Sequence, residues 1–327
     1  MQLTCKDIQA IAHGALFVRE EDGAVTLSRF TDAQRAYYEQ KNPDFFRKAH
    51  ATSGVRLEFT TDAESVQLSY AERYASSRRY YYFDVFVDGV MVQHFGHSNI
   101  AEARSVLTQK LPEGTHEVRI YFPNLAQAQV LKLTLENATF FSPVEKKCRL
   151  LCYGDSITQG YDAQYASQSY TNLLADKLGA TMVDQAIGGE RFCPGLLEEP
   201  IGFAPDIVTV AYGTNDWSGR ERAKAEQKAN EFFATLRRLY PTAKIFAITP
   251  IWRADNHRIT KVGTFEEGRQ LVRDAATASG ITVIEGDGMI PHLPDVCADQ
   301  YLHPNDFGFK FYANALHAAL LPYLEEN

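Results

Sequence analysis

CRLLCYGDSITQG, residues 148–160, is the stretch on which the reading of this chain turns. Apart from Arg149 near its start, Cys148–Tyr153 is apolar without alternation, the pattern of a strand buried on both faces of a parallel sheet. Gly154-Asp155-Ser156 then ends it abruptly. A Ser at a tight strand-to-helix turn presents its hydroxyl outward, and its amide joins a helix N-terminus where a developing oxyanion is stabilised. The plainer alternative is that Asp155 or Ser156 only caps the helix.

Working downstream, DIVTVAY (206–212), KIFAIT (244–249) and ITVIEG (281–286) are further candidate buried strands. Between them, 221–240 and 265–279 have helical periodicity, and 304–324 reads as a closing helix with Pro304 in its first turn. Strands alternating with helices predict a three-layer α/β domain with a parallel sheet, its ligands at the carboxyl ends of the strands. Upstream the period changes to two. VRLEFTT, SVQLSYAERY, YYYFDVFVDG, HEVRIYF and VLKLTLENATFF, within 55–141, predict an antiparallel β-sandwich, with Asp88-Gly89 as a hairpin turn. The change of pattern after Pro143, at Glu145-Lys146-Lys147, divides the chain into a sandwich domain, 1–144, and an α/β domain, 145–327.

Composition narrows the function classes. Hydrophobic residues at 45% and charged residues at 23% describe a globular protein. A net charge of -8 with scattered Lys and Arg argues against nucleic acid as a partner, which is bound by clustered cations. Five cysteines, Cys5, Cys148, Cys152, Cys193 and Cys297, have no paired metal-ligand spacing and read as reduced thiols. No secretion signal and no membrane span is visible, so a cytoplasmic location is expected.

Three more clusters sit at predicted strand ends. Gly213-Thr214-Asn215-Asp216 supplies a side-chain amide, and Gly188-Gly189, after Asp184, offers backbone amides or a turn needing positive φ. His303-Pro304-Asn305-Asp306 places an imidazole at the mouth of the last helix. Each is weak alone; in this order, together with Gly154-Asp155-Ser156, they are specific.

On these four blocks, spanning about 148–324, the chain resembles the SGNH (GDSL-type) hydrolase superfamily. The N-terminal half looks like the jelly-roll-like sandwich that precedes the hydrolase domain in one subgroup, in RFTDAQ, ATSGVRLEF and FVDGVMVQHF. The resemblance implies a flavodoxin-like hydrolase domain with Ser156 as nucleophile and His303 as general base. The amides of Ser156 and Gly189 and the side chain of Asn215 would form the oxyanion hole. The family's orienting carboxylate lies three residues before the His, but Gln300 occupies that position and Asp299 lies one further back. Asp299 is the third member if the loop bulges by one residue; otherwise Ser156 and His303 act as a dyad.

Asp155, Tyr212, Trp217, Trp252 and Arg253 adjoin the blocks and are candidates for substrate contact, with packing as the alternative for the aromatics. No cofactor is expected, and no metal, because the His residues lack ligand partners at suitable spacing. The resemblance implies a serine esterase acting on small acyl esters, with acetyl groups on carbohydrates or glycosides as the expected substrate. Alternatives are an acyltransferase to a metabolite hydroxyl, a short-chain lipase or thioesterase, and a non-catalytic carbohydrate-binding protein. Oligomeric state has no signature in the sequence.

Overall fold

Alternation of apolar and polar side chains resolves into two antiparallel sheets in the N-terminal half. The computed structural model describes residues 1–99 and 103–324. Its contacts form two units: Met1–Lys146 with Tyr165–Ser167, and Lys147–Gln164 with Gln168–Asn327.

In the first unit, one sheet runs Ala12–His13, Arg56–Thr61, His116–Tyr121, Tyr81–Val87, Val90–His97, with Phe141–Pro143 also paired to Arg56–Thr61. The other runs Phe17–Glu21, Ala24–Ser28, Ala126–Glu136, Ser65–Tyr74, Ala103–Lys110. Inward positions two apart, such as Val66, Leu68 and Tyr70 or Val118 and Ile120, are fully buried and join Leu57, Phe59, Phe83 and Leu133 in one core. Asp88 (φ 50°) and Gly89 (φ 78°) make the hairpin between Val87 and Val90. The strand pattern read from the sequence left out Ala103–Lys110 and, because it began at residue 55, also Phe17–Glu21 and Ala24–Ser28. Their turn, Asp22 (φ 52°) and Gly23 (φ 75°), carries the same Asp-Gly signal. The first 54 residues also hold three helices, Cys5–Ile11, Asp32–Lys41 and Pro43–Ala49, the first two started by capping boxes from Thr4 and Thr31.

The second unit is a layered α/β structure around a parallel sheet ordered Ala180–Asp184, Cys148–Gly154, Ile207–Ala211, Lys244–Ile248, Thr282–Ile284. Helices Tyr170–Lys177, Arg222–Leu239, Phe265–Ala278 and Asp306–Leu324 cover it, burying stripes such as Ala225, Ala229, Phe232, Phe233 and Leu236. Because the unit's second strand, Ala180–Asp184, lies on one side of Cys148–Gly154 and its third, Ile207–Ala211, on the other, the connections diverge there. The carboxyl end of that strand is the place where ligands of sheets with this divergence bind. No helix among the described residues is long and apolar enough to cross a membrane.

Two expected helix starts are displaced. Residues 155–162 form consecutive turns, and the helix begins only at Tyr170, capped by Ser169. Left-handed Gly160 (φ 84°) and Asp162 (φ 70°) prevent the first turn from propagating. The last helix starts at Asp306 instead of Pro304, with Asn305 Oδ1 accepting the Gly308 amide at 3.0 Å.

Gly154 allows the close approach on which the turn depends. A Cβ there would lie 2.0 Å from Thr158 Oγ1 and 2.5 Å from its Cβ, and Thr158 is held by a 2.8 Å hydroxyl contact with Tyr170. Gly154→Ala should therefore lower stability by about 1–3 kcal/mol through overpacking, read from urea unfolding. An unchanged midpoint would mean that Thr158 can move aside freely.

Candidate active site

The strand Cys148–Gly154 is followed by Ser156 on a turn closed by Gln159 N–H to Asp155 C=O (2.9 Å) and Tyr161 N–H to Ser156 C=O (2.9 Å). Asp155 Oδ1 accepts the Ile157 amide at 3.0 Å, so the capping role foreseen for this Asp is realised on a turn. Ser156 Oγ lies 2.9 Å from His303 Nε2.

His303 comes from a small loop pinned by Ala298 N–H to His303 C=O (2.8 Å) and by a bridge between Cys297 and Pro304. Its Nδ1 lies 2.7 Å from Asp299 Oδ2. The one-residue excess in spacing is absorbed by Gln300, whose φ of 58° is left-handed. The other Asp299 oxygen accepts the amides of Tyr301, Leu302 and His303 at 3.0, 2.7 and 3.1 Å, fixing the carboxylate on its own loop. Since Nε2 must accept from the Ser156 hydroxyl for proton transfer, Nδ1 carries the ring proton and donates to Asp299.

The third and fourth clusters reach the same end of the sheet. The segment after Ala180–Asp184 is tied to the central strand by Gln185 N–H to Cys152 C=O (2.8 Å) and Ile187 N–H to Gly154 C=O (3.2 Å). Gln159 Oε1 accepts the Gly188 amide at 2.7 Å, whereas Gly189 (φ 89°) is exposed. The amides of Ser156 and Gly189 have no acceptor among the described residues. Asn215, in the first turn of the short helix Thr214–Gly219 that follows Ile207–Ala211, donates from Nδ2 to the Glu190 carbonyl at 3.0 Å, and its remaining amide hydrogen is uncommitted.

The aromatic candidates for substrate contact belong to the core instead. Tyr212 (1% exposed) packs on Phe192 and Phe232, and Trp217 (1%) meets Phe265 edge-on and donates to the Gly263 carbonyl. Trp252 is also buried, with His292 stacked on it. Asp155 is buried beneath the turn and Arg253 within an ion-pair network. Arg253 bonds Asp255, the Thr214 hydroxyl (2.9 Å) and the Tyr301 hydroxyl (2.6 Å), and Tyr301 in turn donates to Asp255 (2.6 Å). It therefore braces the His303 loop against the Asn215 turn.

Residues with no motif signal also enter the site. Tyr161 sets its ring 5.7 Å from that of His303, and Asp162 Oδ2 lies 3.6 Å from Nδ1. Although the sequence shows no metal-ligand spacing, folding gathers one potential ligand atom each of Asp162, Asp299 and His303 within 4.8 Å. With its proton directed to Asp299, Nδ1 has no lone pair for a cation, so this set does not fit a metal.

Residues 152–311 match the GDSL-like Lipase/Acylhydrolase family model. No curated protein matches the chain in sequence. Among solved structures, the chain is similar to the salicylyl-acyltransferase SsfX3 from a tetracycline biosynthetic pathway, at 21% identity and TM-score 0.81, covering 96% of this chain and 95% of that one. It is also similar to a family two carbohydrate esterase from Cellvibrio japonicus (18%, TM-score 0.70, 100% and 97% covered). A third is an acetyl xylan esterase, Est2A, from Butyrivibrio proteoclasticus (13%, TM-score 0.65, 99% and 98% covered). At these identities the likeness establishes a shared two-domain fold.

Burial divides the carboxylates around the site. Partial burial would raise Asp299, but the His303 hydrogen bond and the loop amides outweigh it and hold the acid well below the usual range. Asp155 is pushed up to about 7 by burial, only partly offset by the Ile157 amide and His303. Asp216 is pushed up to about 6 by burial, against the pull of Arg220. A carboxyl whose folded value lies above its unfolded one favours the fold below the unfolded value and loses that contribution as pH rises through the folded value. Asp155→Asn keeps an acceptor for Ile157 and cannot ionise. The melting temperature of this variant relative to the native protein should therefore rise as pH goes from 5 to 8. A pH-independent difference would show that Asp155 does not titrate in this window.

Proposed function

Because residues 152–311 place the C-terminal domain in the GDSL-like lipase/acylhydrolase family, the ester-processing serine hydrolases, we propose that this chain removes small acyl groups, acetyl above all, from carbohydrates or glycosides. The observation that carries the reading is the hydrogen-bonded line Ser156 Oγ, His303, Asp299, at 2.9 and 2.7 Å.

Ser156 is the nucleophile. His303 Nε2 takes its proton as Oγ bonds to the ester carbonyl carbon, and the carbonyl oxygen becomes an oxyanion. The amides of Ser156 and Gly189 and the free hydrogen of Asn215 Nδ2 receive that charge. Collapse breaks the bond to the alcohol oxygen, which leaves with the proton from His303. Water then repeats the sequence on the acyl-enzyme, with His303 as base and then acid, freeing the carboxylic acid. Asp299 holds the ring and stabilises the imidazolium. No cofactor enters any step.

The carbohydrate half of the substrate is supported by the likeness to carbohydrate and acetyl xylan esterases in both domains. Transfer to an alcohol other than water is the second reading, favoured by the high structural overlap with an acyltransferase. Product analysis with and without alcohol acceptors separates the two.

Ser156→Ala should lower hydrolysis of acetylated sugars by about 10⁴-fold or more while leaving the fold intact, and a fluorophosphonate should label Ser156. Asn215→Ala should cost about 100- to 1000-fold in kcat. Folded native protein that resists the fluorophosphonate and releases no acetate would sink the reading.

A further inference from the structure

A second acid stands beside the imidazole. Asp162 Oδ2 is 3.6 Å from His303 Nδ1, and its side chain is more enclosed than that of Asp299 (11% against 29% exposed). It arrives from the nucleophile's own turn, not from the His303 loop. Its φ of 70° lies in the left-handed region, where a Gly would be cheaper and where an Asp persists only if its surroundings hold it. Between it and left-handed Gly160 (φ 84°) stands Tyr161, whose ring lies against the imidazole. This strained corner thus brings both the ring wall and a carboxylate to His303.

We propose that Asp162 is a positioning residue for the reaction, a second carboxylate on Nδ1 that shares with Asp299 the orientation of His303 and the stabilisation of its protonated form. The proposal rests on the reading of Ser156 and His303 as nucleophile and base. As His303 takes the Ser156 proton, a full positive charge forms on the ring. Asp299 and Asp162 face it at Nδ1, Asp155 acts on it from beneath the turn, and Tyr161 offers an uncharged face. Asp299 is immobilised by three loop amides, so it can neither follow the ring nor spread its charge further. Asp162, anchored on another segment, holds the ring from a second direction and links its position to that of Ser156.

Asp162→Gly tests this directly, because Gly suits the left-handed backbone and only the side chain is removed. Three results are expected. The kcat should fall about 10-fold with KM little changed. The acidic limb of the kcat/KM profile should move to lower pH, since one anion favouring the imidazolium is gone. Asp299→Asn should retain activity that the double variant Asp299→Asn/Asp162→Asn loses by a further factor of about 10 or more. A structural role alone would leave the acidic limb in place. Imidazole titration followed by NMR reads the same displacement without turnover. Hence a native protein that hydrolyses no ester overturns the proposed function, while the NMR midpoint still decides the contact. An unmoved midpoint and limb in Asp162→Gly, checked in Asp162→Asn, would overturn the proposal, as would a double variant no slower than Asp299→Asn.

Discussion

A hydrogen bond of 2.9 Å joins side chains 147 residues apart, Ser156 and His303, and the rest of the α/β domain can be understood as what holds it. Neither residue sits on a regular element. Ser156 lies on a turn anchored to the strand Cys148–Gly154, and His303 on a loop pinned to itself and to the last helix. Such a bond is only as well defined as the frames at its two ends. The parallel sheet supplies one frame by ending its central strand where neighbouring connections diverge. The Asp299 carboxylate supplies the other, with one oxygen spent on loop amides and the other on the imidazole.

Between the frames lies a polar brace of unusual density for a buried place. Arg253, at 3% exposure, bonds Asp255, Thr214 and Tyr301 together. A buried guanidinium with all its partners present is costly to interrupt, because removing one member strands the others without water. The brace thus transmits rigidity from the Asn215 turn to the loop bearing His303. Aromatic packing performs the same service below it, where Tyr212, Phe192 and Phe232 fill the space under the Asn215 turn.

Much of this was legible in the sequence for specific reasons. Short, mainly apolar runs such as 148–153 and 207–211, alternating with longer helical stretches, point to buried parallel strands, and the alternation in 65–70 marks a half-buried sheet. Ser156, Gly189 and Asn215 stood out because each lies just beyond a strand, and His303 because it stands before the last helix. What escaped notice has no periodic signal. The aromatic side chains next to the motifs are chemically suited both to sugars and to cores, and only their burial decides for the core. Asp162 and Tyr161 owe their positions to backbone angles at Gly160 and Asp162, which one-letter patterns do not express. The early hairpin at Asp22-Gly23 was readable but short, its strands having only five residues each.

Gln300 carries a wider meaning. By turning left-handed it hides one residue of chain length inside a loop whose two ends remain paired at Cys297 and Pro304. The acid and the imidazole therefore meet at an ordinary distance although their numbers in the chain differ by four, not three. Separation along the backbone is thus a property of how a loop stores slack. Any pattern that fixes the interval between these two residues will pass over chains whose chemistry is spatially intact.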